Sequence, residues 1–164
     1  LRGRVLATIH TGGKALGSGG AWVAGSRALR DVMVNRARSF IFSTAPLPVL
    51  AASLGAGLDV IAREPLRRRE VHRKSAFLRQ ALRERGVHAG GESPIVPIIS
   101  GSNDAALALQ AGLMAAGFDV RAIRPPSVPP GTARLRVTVR YPVGGADLER
   151  FASEVARLVD LRVT

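Results

Sequence analysis

Apolar residues in this chain fall into two patterns, short unbroken runs and stripes at helical spacing, and their succession predicts an α/β protein. Val5 to Ile9 reads as a buried strand, and Ala21 to Ala24 as a second short strand beyond a glycine-rich turn. Ser26 is placed to cap a helix reaching about Asn35, with Leu29, Val32 and Met33 on one side. Ser39 to Phe42 reads as β-like. A helix is then predicted from Pro48 to about Ala62, since proline suits a first turn in which no amide donor is needed.

Pro65 marks a joint. Beyond it Val71, Leu78 and Leu82, supported by Phe77 and Ala81, form the apolar stripe of a long basic helix that reaches about Arg85. Gly86, Gly90 and Gly91 end it. The remainder reads as a compact unit: a strand from Ile95 to Ile99, a helix from Asp104 to Ala116 stopped by Gly117, and a strand from Phe118 to Ile123. A proline-rich loop, a strand from Leu135 to Tyr141 and a helix from Asp147 to Leu158 complete it. With Ser102 or Asn103 as cap, this order predicts a small sheet covered by helices. The boundaries divide the chain into residues 1–62, a joining helix over 63–85, and a unit over 86–164.

The chain has 164 residues and no cysteine, which rules out disulfides and thiolate metal sites and agrees with a reducing cytoplasm. No apolar stretch is long enough to span a bilayer, and the first residues lack the apolar core of a signal peptide. The chain opens without methionine and inside an apparent strand, so it reads as a piece of a longer protein. Its net charge of +12 raises a nucleic-acid-binding or scaffold reading. Nine of the 24 basic residues lie between Arg63 and Arg85, interspersed with Glu64, Glu70 and Glu84, and Phe77 is the one aromatic residue among them. A solvated helix face accounts for that run, and stacking on single strands is unsupported.

Three segments could carry chemistry. Lys14 follows the first apolar run and is wrapped in Gly12, Gly13, Gly17, Gly19 and Gly20, residues that let backbone and a flat ligand approach closely. With the Thr11 hydroxyl three residues earlier, it suits a cofactor aldehyde held beside its phosphate. A surface lysine in a turn and a strand-end threonine account for the same residues. Ser43 and Thr44, just ahead of a helix start, could cradle a phosphate or serve as caps. Arg134 and Arg136 lie two apart on a strand and share a face, so both could meet one carboxylate, or they could be solubilising charges. His10, His72 and His88 are scattered without metal-ligand spacing. Neither a phosphate loop of the Gx4GK[ST] type nor a G-x-S-x-G elbow is present.

Taken together, the stretches TGGKALGSGGAWVAGS (Thr11 to Ser26), RARSFIFSTAPLP (Arg36 to Pro48) and VRAIRPPSVPPGTARLRVTV (Val120 to Val139) resemble the α-oxoamine synthases. These are fold-type I pyridoxal-phosphate enzymes that join an amino acid to an acyl thioester with loss of CO2. The last stretch is most similar to the biotin-pathway branch, which condenses L-alanine with a pimeloyl thioester. The resemblance implies an acyl-CoA or acyl-carrier-protein donor, and an obligate homodimer with shared active sites. It implies that Lys14 is the Schiff-base lysine and Thr11 a phosphate ligand. By the same match, Ser43 and Thr44 reach the phosphate in the neighbouring subunit. Arg136 grips the substrate carboxylate, and Arg124 is a second arginine characteristic of that branch. Tyr141-Pro142-Val143 departs from the small-residue and histidine segment of many relatives, so the acyl chain stays open. Glycine C-acetyltransferase, 5-aminolevulinate synthase and serine palmitoyltransferase are the alternatives within the family. The family's phosphate loop, ring-stacking histidine and ring-pairing aspartate precede the lysine and have no counterpart here. The chain is therefore expected to be the C-terminal part of such an enzyme, and inactive alone.

Overall fold

The computed structural model describes residues 2–160 and divides into two compact units, Leu1–Pro65 and Leu66–Thr164. In the first unit a 3-10 turn at Arg2–Arg4 precedes a two-stranded antiparallel hairpin, β1 (Ala7–Thr11) and β2 (Ala21–Gly25). Ala7 faces Gly25 and Thr11 faces Ala21 across it. The hairpin is followed by α1 (Arg27–Arg36), the single-turn α2 (Arg38–Ile41) and α3 (Pro48–Arg63). Ser26 caps α1 as expected, its hydroxyl accepting from the Leu29 amide at 3.1 Å. α3 opens on Pro48 and runs one residue past the expected Ala62.

Two expectations fail in this unit. The first strand begins two residues later than expected and is not buried: Leu6 is 77% and Ile9 74% exposed. Among the described residues of the unit only Gly12 is buried, so an apolar run that looks like a core strand is left largely uncovered. Ser39 to Ile41 is helical rather than β-like, and Phe42 is the cap of that turn. The Ile41 amide bonds Ala37 O and the Phe42 amide bonds Arg38 O, both at 3.0 Å, so local backbone pairing takes the place of a strand partner.

The second unit holds the core. Its sheet has the order β3–β5–β4, with β3 (Ile95–Gly101) and β4 (Arg121–Ile123) each antiparallel to β5 (Ala133–Thr138). Val96, Ile98, Leu135 and Val137 alternate onto one face. There they pack with Leu78 and Leu82 of α4 (Leu66–Glu84), Leu109 and Leu113 of α5 (Asn103–Ala115), and Phe151 and Val155 of α6 (Gly145–Asp160). Burying one such leucine contributes about 2 kcal/mol.

Helix ends in this unit follow their residues. Ser102 accepts from the Ala105 amide at 3.1 Å and caps α5. Gly86, at φ 74°, closes α4: its amide bonds Arg83 O while the Val87 amide reaches Leu82 O at 2.9 Å, a Schellman closure. Gly117 repeats it after α5, and there the Phe118 amide is spent on Leu113 O at 2.8 Å. That bond shortens the expected Phe118–Ile123 strand to Arg121–Ile123. The expected Leu135–Tyr141 strand is offset too. It starts at Ala133 and stops at Thr138, because the Arg140 carbonyl turns to the Val143 amide and the Tyr141 carbonyl to Lys74.

The basic run of α4 is largely engaged within its own unit. Arg73 pairs with Glu70 at 2.7 Å, Arg85 binds Glu149, and Arg67 lies over the Tyr141 ring at 5.1 Å. Arg79 is only 7% exposed and donates to the carbonyls of Gly90 (3.1 Å) and Ser93, tying down the turn that leads into β3. Among the described residues no helix is long and apolar enough to cross a membrane.

Candidate functional site

Lys14 stands in a nine-residue connection that folds back on itself between β1 and β2. The Gly12 amide donates to Gly20 O at 2.9 Å, the Ser18 amide to Gly12 O at 3.0 Å, and the Gly17 amide to Lys14 O at 3.0 Å. Gly17 (φ 60°) and Gly20 (φ 74°) occupy the left-handed region, which a side chain would strain. Thr11 ends β1 and begins this turn, so Thr11 and Lys14 come together in one exposed loop.

One face of α3 supports the loop from beneath. A Cβ on Gly12 would strike Leu54 Cδ2 and stand 2.7 Å from Gly19 O. A Cβ on Gly19 would meet Leu50 Cδ2 at 3.3 Å, and one on Gly57 would meet Leu16 Cδ2 at 3.0 Å. Leu50, Leu54 and Gly57 follow the i, i+4, i+7 spacing of a helix face. The stripe is legible in the sequence, yet the choice of that face for the lysine loop was not. The Ser18 hydroxyl is buried in the same loop with no hydrogen-bond partner.

The chain's two lysines, Lys14 and Lys74, are placed in opposite ways. Lys74 Nζ donates to Tyr141 O at 2.7 Å, lies 3.8 Å from Glu70 and 5.5 Å from the centre of the Tyr141 ring, and its side chain is 13% exposed. Lys14 is exposed, and its amine makes no hydrogen bond or ion pair with any described residue.

Ser43 and Thr44 lie between α2 and α3 and are exposed. They are not the caps of α3: its N-cap is Leu47, with no side-chain cap bond, so the two hydroxyls precede the helix by several residues. In the second unit Arg134 and Arg136 share the sheet face opposite the core, as their spacing requires. Their roles diverge. Arg134 is half-buried and its Nε donates to Thr132 O at 2.9 Å, bracing the turn. Arg136 is exposed, and its guanidinium bonds no described residue. Arg124 follows β4 at the head of the proline-rich loop and is exposed. Lys14, Thr11, Ser43 and Thr44 thus belong to the first unit, and Arg124 and Arg136 to the second.

The family model for aminotransferase class I and II matches residues 2–154. The chain belongs to the aminotransferase class I and II family. Among this family's members it is 44% identical over 155 residues to 8-amino-7-oxononanoate synthase of Anaeromyxobacter dehalogenans, covering 92% of this chain and 39% of that one. It is 43% identical over 164 residues to the enzyme of the same name from Cupriavidus metallidurans, covering 96% and 40%. The chain therefore spans about two-fifths of the length of the curated relatives it matches.

Solved structures agree on the fold. A crystal structure of 8-amino-7-oxononanoate synthase from Francisella tularensis superposes with a TM-score of 0.83 at 20% identity, over 97% of this chain and 47% of that one. Sphingomonas wittichii serine palmitoyltransferase gives 0.86 at 23% identity over 96% and 40%. A structure of SPT with its PLP internal aldimine gives 0.87 at 20% identity over 97% and 41%. The α/β architecture is accordingly that of fold-type I pyridoxal-phosphate transferases.

Proposed function

We propose that this chain is the lysine-bearing and carboxylate-binding part of a pyridoxal-phosphate-dependent acyltransferase of the 8-amino-7-oxononanoate synthase kind. The whole protein would join an amino acid, L-alanine, to a pimeloyl thioester with loss of CO2 and release of the thiol, a step of biotin formation. On this reading residues 1–62 belong to the large cofactor domain, 63–85 form the joining helix, and 86–164 are the small domain. Two copies share their active sites in a cytoplasmic homodimer.

The observation that carries the reading is the contrast between the lysines. A lysine that holds a carbonyl group by its nitrogen must be unengaged and reachable, and Lys14 alone meets that condition. The loop also fits a flat, phosphate-bearing group. Its glycines bring backbone up to α3 with no room for a Cβ at Gly12, and the Ser18 hydroxyl has its hydrogen-bonding capacity unspent. When bound, pyridoxal phosphate supplies the electron sink that stabilises a carbanion at the amino-acid Cα. The residues do the remainder. Lys14 Nζ would hold the cofactor and, once the amino acid's own amine has displaced it, would be free to take the Cα proton. The Thr11 hydroxyl donates to the phosphate, and Ser43 and Thr44 extend toward the phosphate of the neighbouring subunit. Arg136 fixes the amino-acid carboxylate through paired, charge-assisted hydrogen bonds, and Arg124 is a second substrate-binding arginine.

The test is borohydride reduction of the full-length protein with pyridoxal phosphate present, followed by peptide mass mapping. Pyridoxyl is expected on Lys14 with Lys74 unmodified. Label on Lys74, or on a lysine elsewhere in the full-length protein with Lys14 untouched, would refute the reading.

A further inference from the structure

β4 and β5 place Arg121 directly opposite Arg136 in the antiparallel register. Residues facing each other across such a pair share a sheet face, with Cβ atoms about 4.5–5.5 Å apart. Two arginines therefore stand side by side on the face that turns away from the core, with Arg134 two residues along the same strand. Like charges directly opposite destabilise a sheet, so a compensating anion is favoured there. Part of it is already in place. The Asp119 carboxylate lies 3.2 Å from Arg121 Nη2, both side chains being mostly exposed. One internal carboxylate thus engages Arg121, whereas Arg136 across the strand pair bonds no described residue.

We propose that Arg121 is a second carboxylate-recognising residue beside Arg136, and that Asp119 is an internal competitor which occupies it until a ligand carboxylate arrives. This rests on the reading of Arg136 as a carboxylate ligand and extends it to a residue which the motif match leaves unassigned. The two guanidinium groups together give the face a stronger pull on an anion than one could. Asp119 weakens that pull by tying up Arg121. The ligand carboxylate could be that of the amino acid or that of a dicarboxylic acyl chain, since the chemistry is shared.

Steady-state constants of the full-length holoenzyme decide this, measured separately for L-alanine and pimeloyl-CoA. Arg136→Ala should raise one of the two KM values at least about tenfold, by loss of a charge-assisted fork. Arg121→Ala should raise the same KM about threefold at low salt, which is what a unit charge some 6 Å away in a watery setting contributes. Adding about 0.5 M salt should largely erase that effect. Arg121→Lys should restore most of the binding, and Asp119→Asn should lower the same KM about twofold. A merely structural role for the Asp119–Arg121 pair predicts losses in both variants, with no opposite signs. The KM that moves identifies the source of the carboxylate. Unchanged KM values in Arg121→Ala and Asp119→Asn, while Arg136→Ala is impaired, would overturn this inference alone. An unimpaired Arg136→Ala would overturn the reading beneath it.

Discussion

Gly12 is the position at which one methyl group would act on both the loop and its support. Its Cβ would meet Leu54 Cδ2, the movable end of a side chain, but also Gly19 O at 2.7 Å, a backbone atom fixed in the opposite limb of the loop. Gly12→Ala is therefore expected to destabilise the full-length protein by about 1–3 kcal/mol, read as a fall in the denaturant midpoint, and to slow pyridoxyl labelling of Lys14. Adding Leu54→Ala should restore little, because the Gly19 carbonyl stays in the way. Full recovery in the double variant would locate the obstacle at Leu54 instead. At the same scale the sequence singled out Lys14, Thr11 and Arg136, since glycine wrapping and strand spacing are local properties. Glu70, one helical turn before Lys74, was legible as a partner, but the bond to Tyr141 was not, because Tyr141 lies 67 residues away.

At the scale of elements, α4 and α6 both carry glutamate–arginine pairs one turn apart. On α6 the Arg157 guanidinium, hydrogen-bonded at 2.5 Å, holds the Glu154 carboxyl below its ordinary value of 4.5. On α4 Arg73 does the same for Glu70. A carboxylate whose folded pKa is depressed lends stability that is present above its unfolded value and is lost as pH falls through the folded one. The double variant Glu70→Gln, Glu154→Gln should therefore lose less thermal stability than the parent between about pH 6 and about pH 2. The partner guanidinium groups are mostly exposed, so the difference should shrink as salt is added. Equal losses in parent and variant would show that neither pair contributes. The strand expectations failed at this scale for one reason. Ser39 to Phe42 and Phe118 to Val120 contain apolar or aromatic residues that fit a pleated surface, but a strand forms only where a neighbour offers its backbone. The first segment bonds back to Ala37 and Arg38, and the Phe118 amide is consumed by the closure of α5.

Across the whole chain, the apolar cluster runs from Leu78 to Val155 and lies within the second unit, whereas the first unit leaves Leu6, Ile9 and Phe42 exposed. Amide exchange follows opening free energy, and opening is cheap where few apolar contacts are broken. In the 164-residue chain, amides of Val96, Ile98, Leu113 and Leu135 should exchange at least about a hundredfold more slowly than those of β1, β2 and α3. Equally slow exchange from β1 through α6 in a monomer would show that the first unit holds its own core. The exposed run in the first unit is also an association hazard, so the measurement belongs at low concentration.

Much of this molecule is written in short-range code. Ser26 and Ser102 start helices, Gly86 and Gly117 stop them, and the alternation through Ala133 to Thr138 separates core from solvent, because each depends on a few adjacent residues and the backbone geometry they allow. The glycine-wrapped lysine and the arginines two apart belong to the same class. Tertiary structure decided which apolar runs are covered, which face of α3 carries the lysine loop, which lysine is free, and that Arg121 stands opposite Arg136. Those outcomes turn on what lies across a sheet or beneath a loop, and register and burial are properties of pairs of segments rather than of either segment alone.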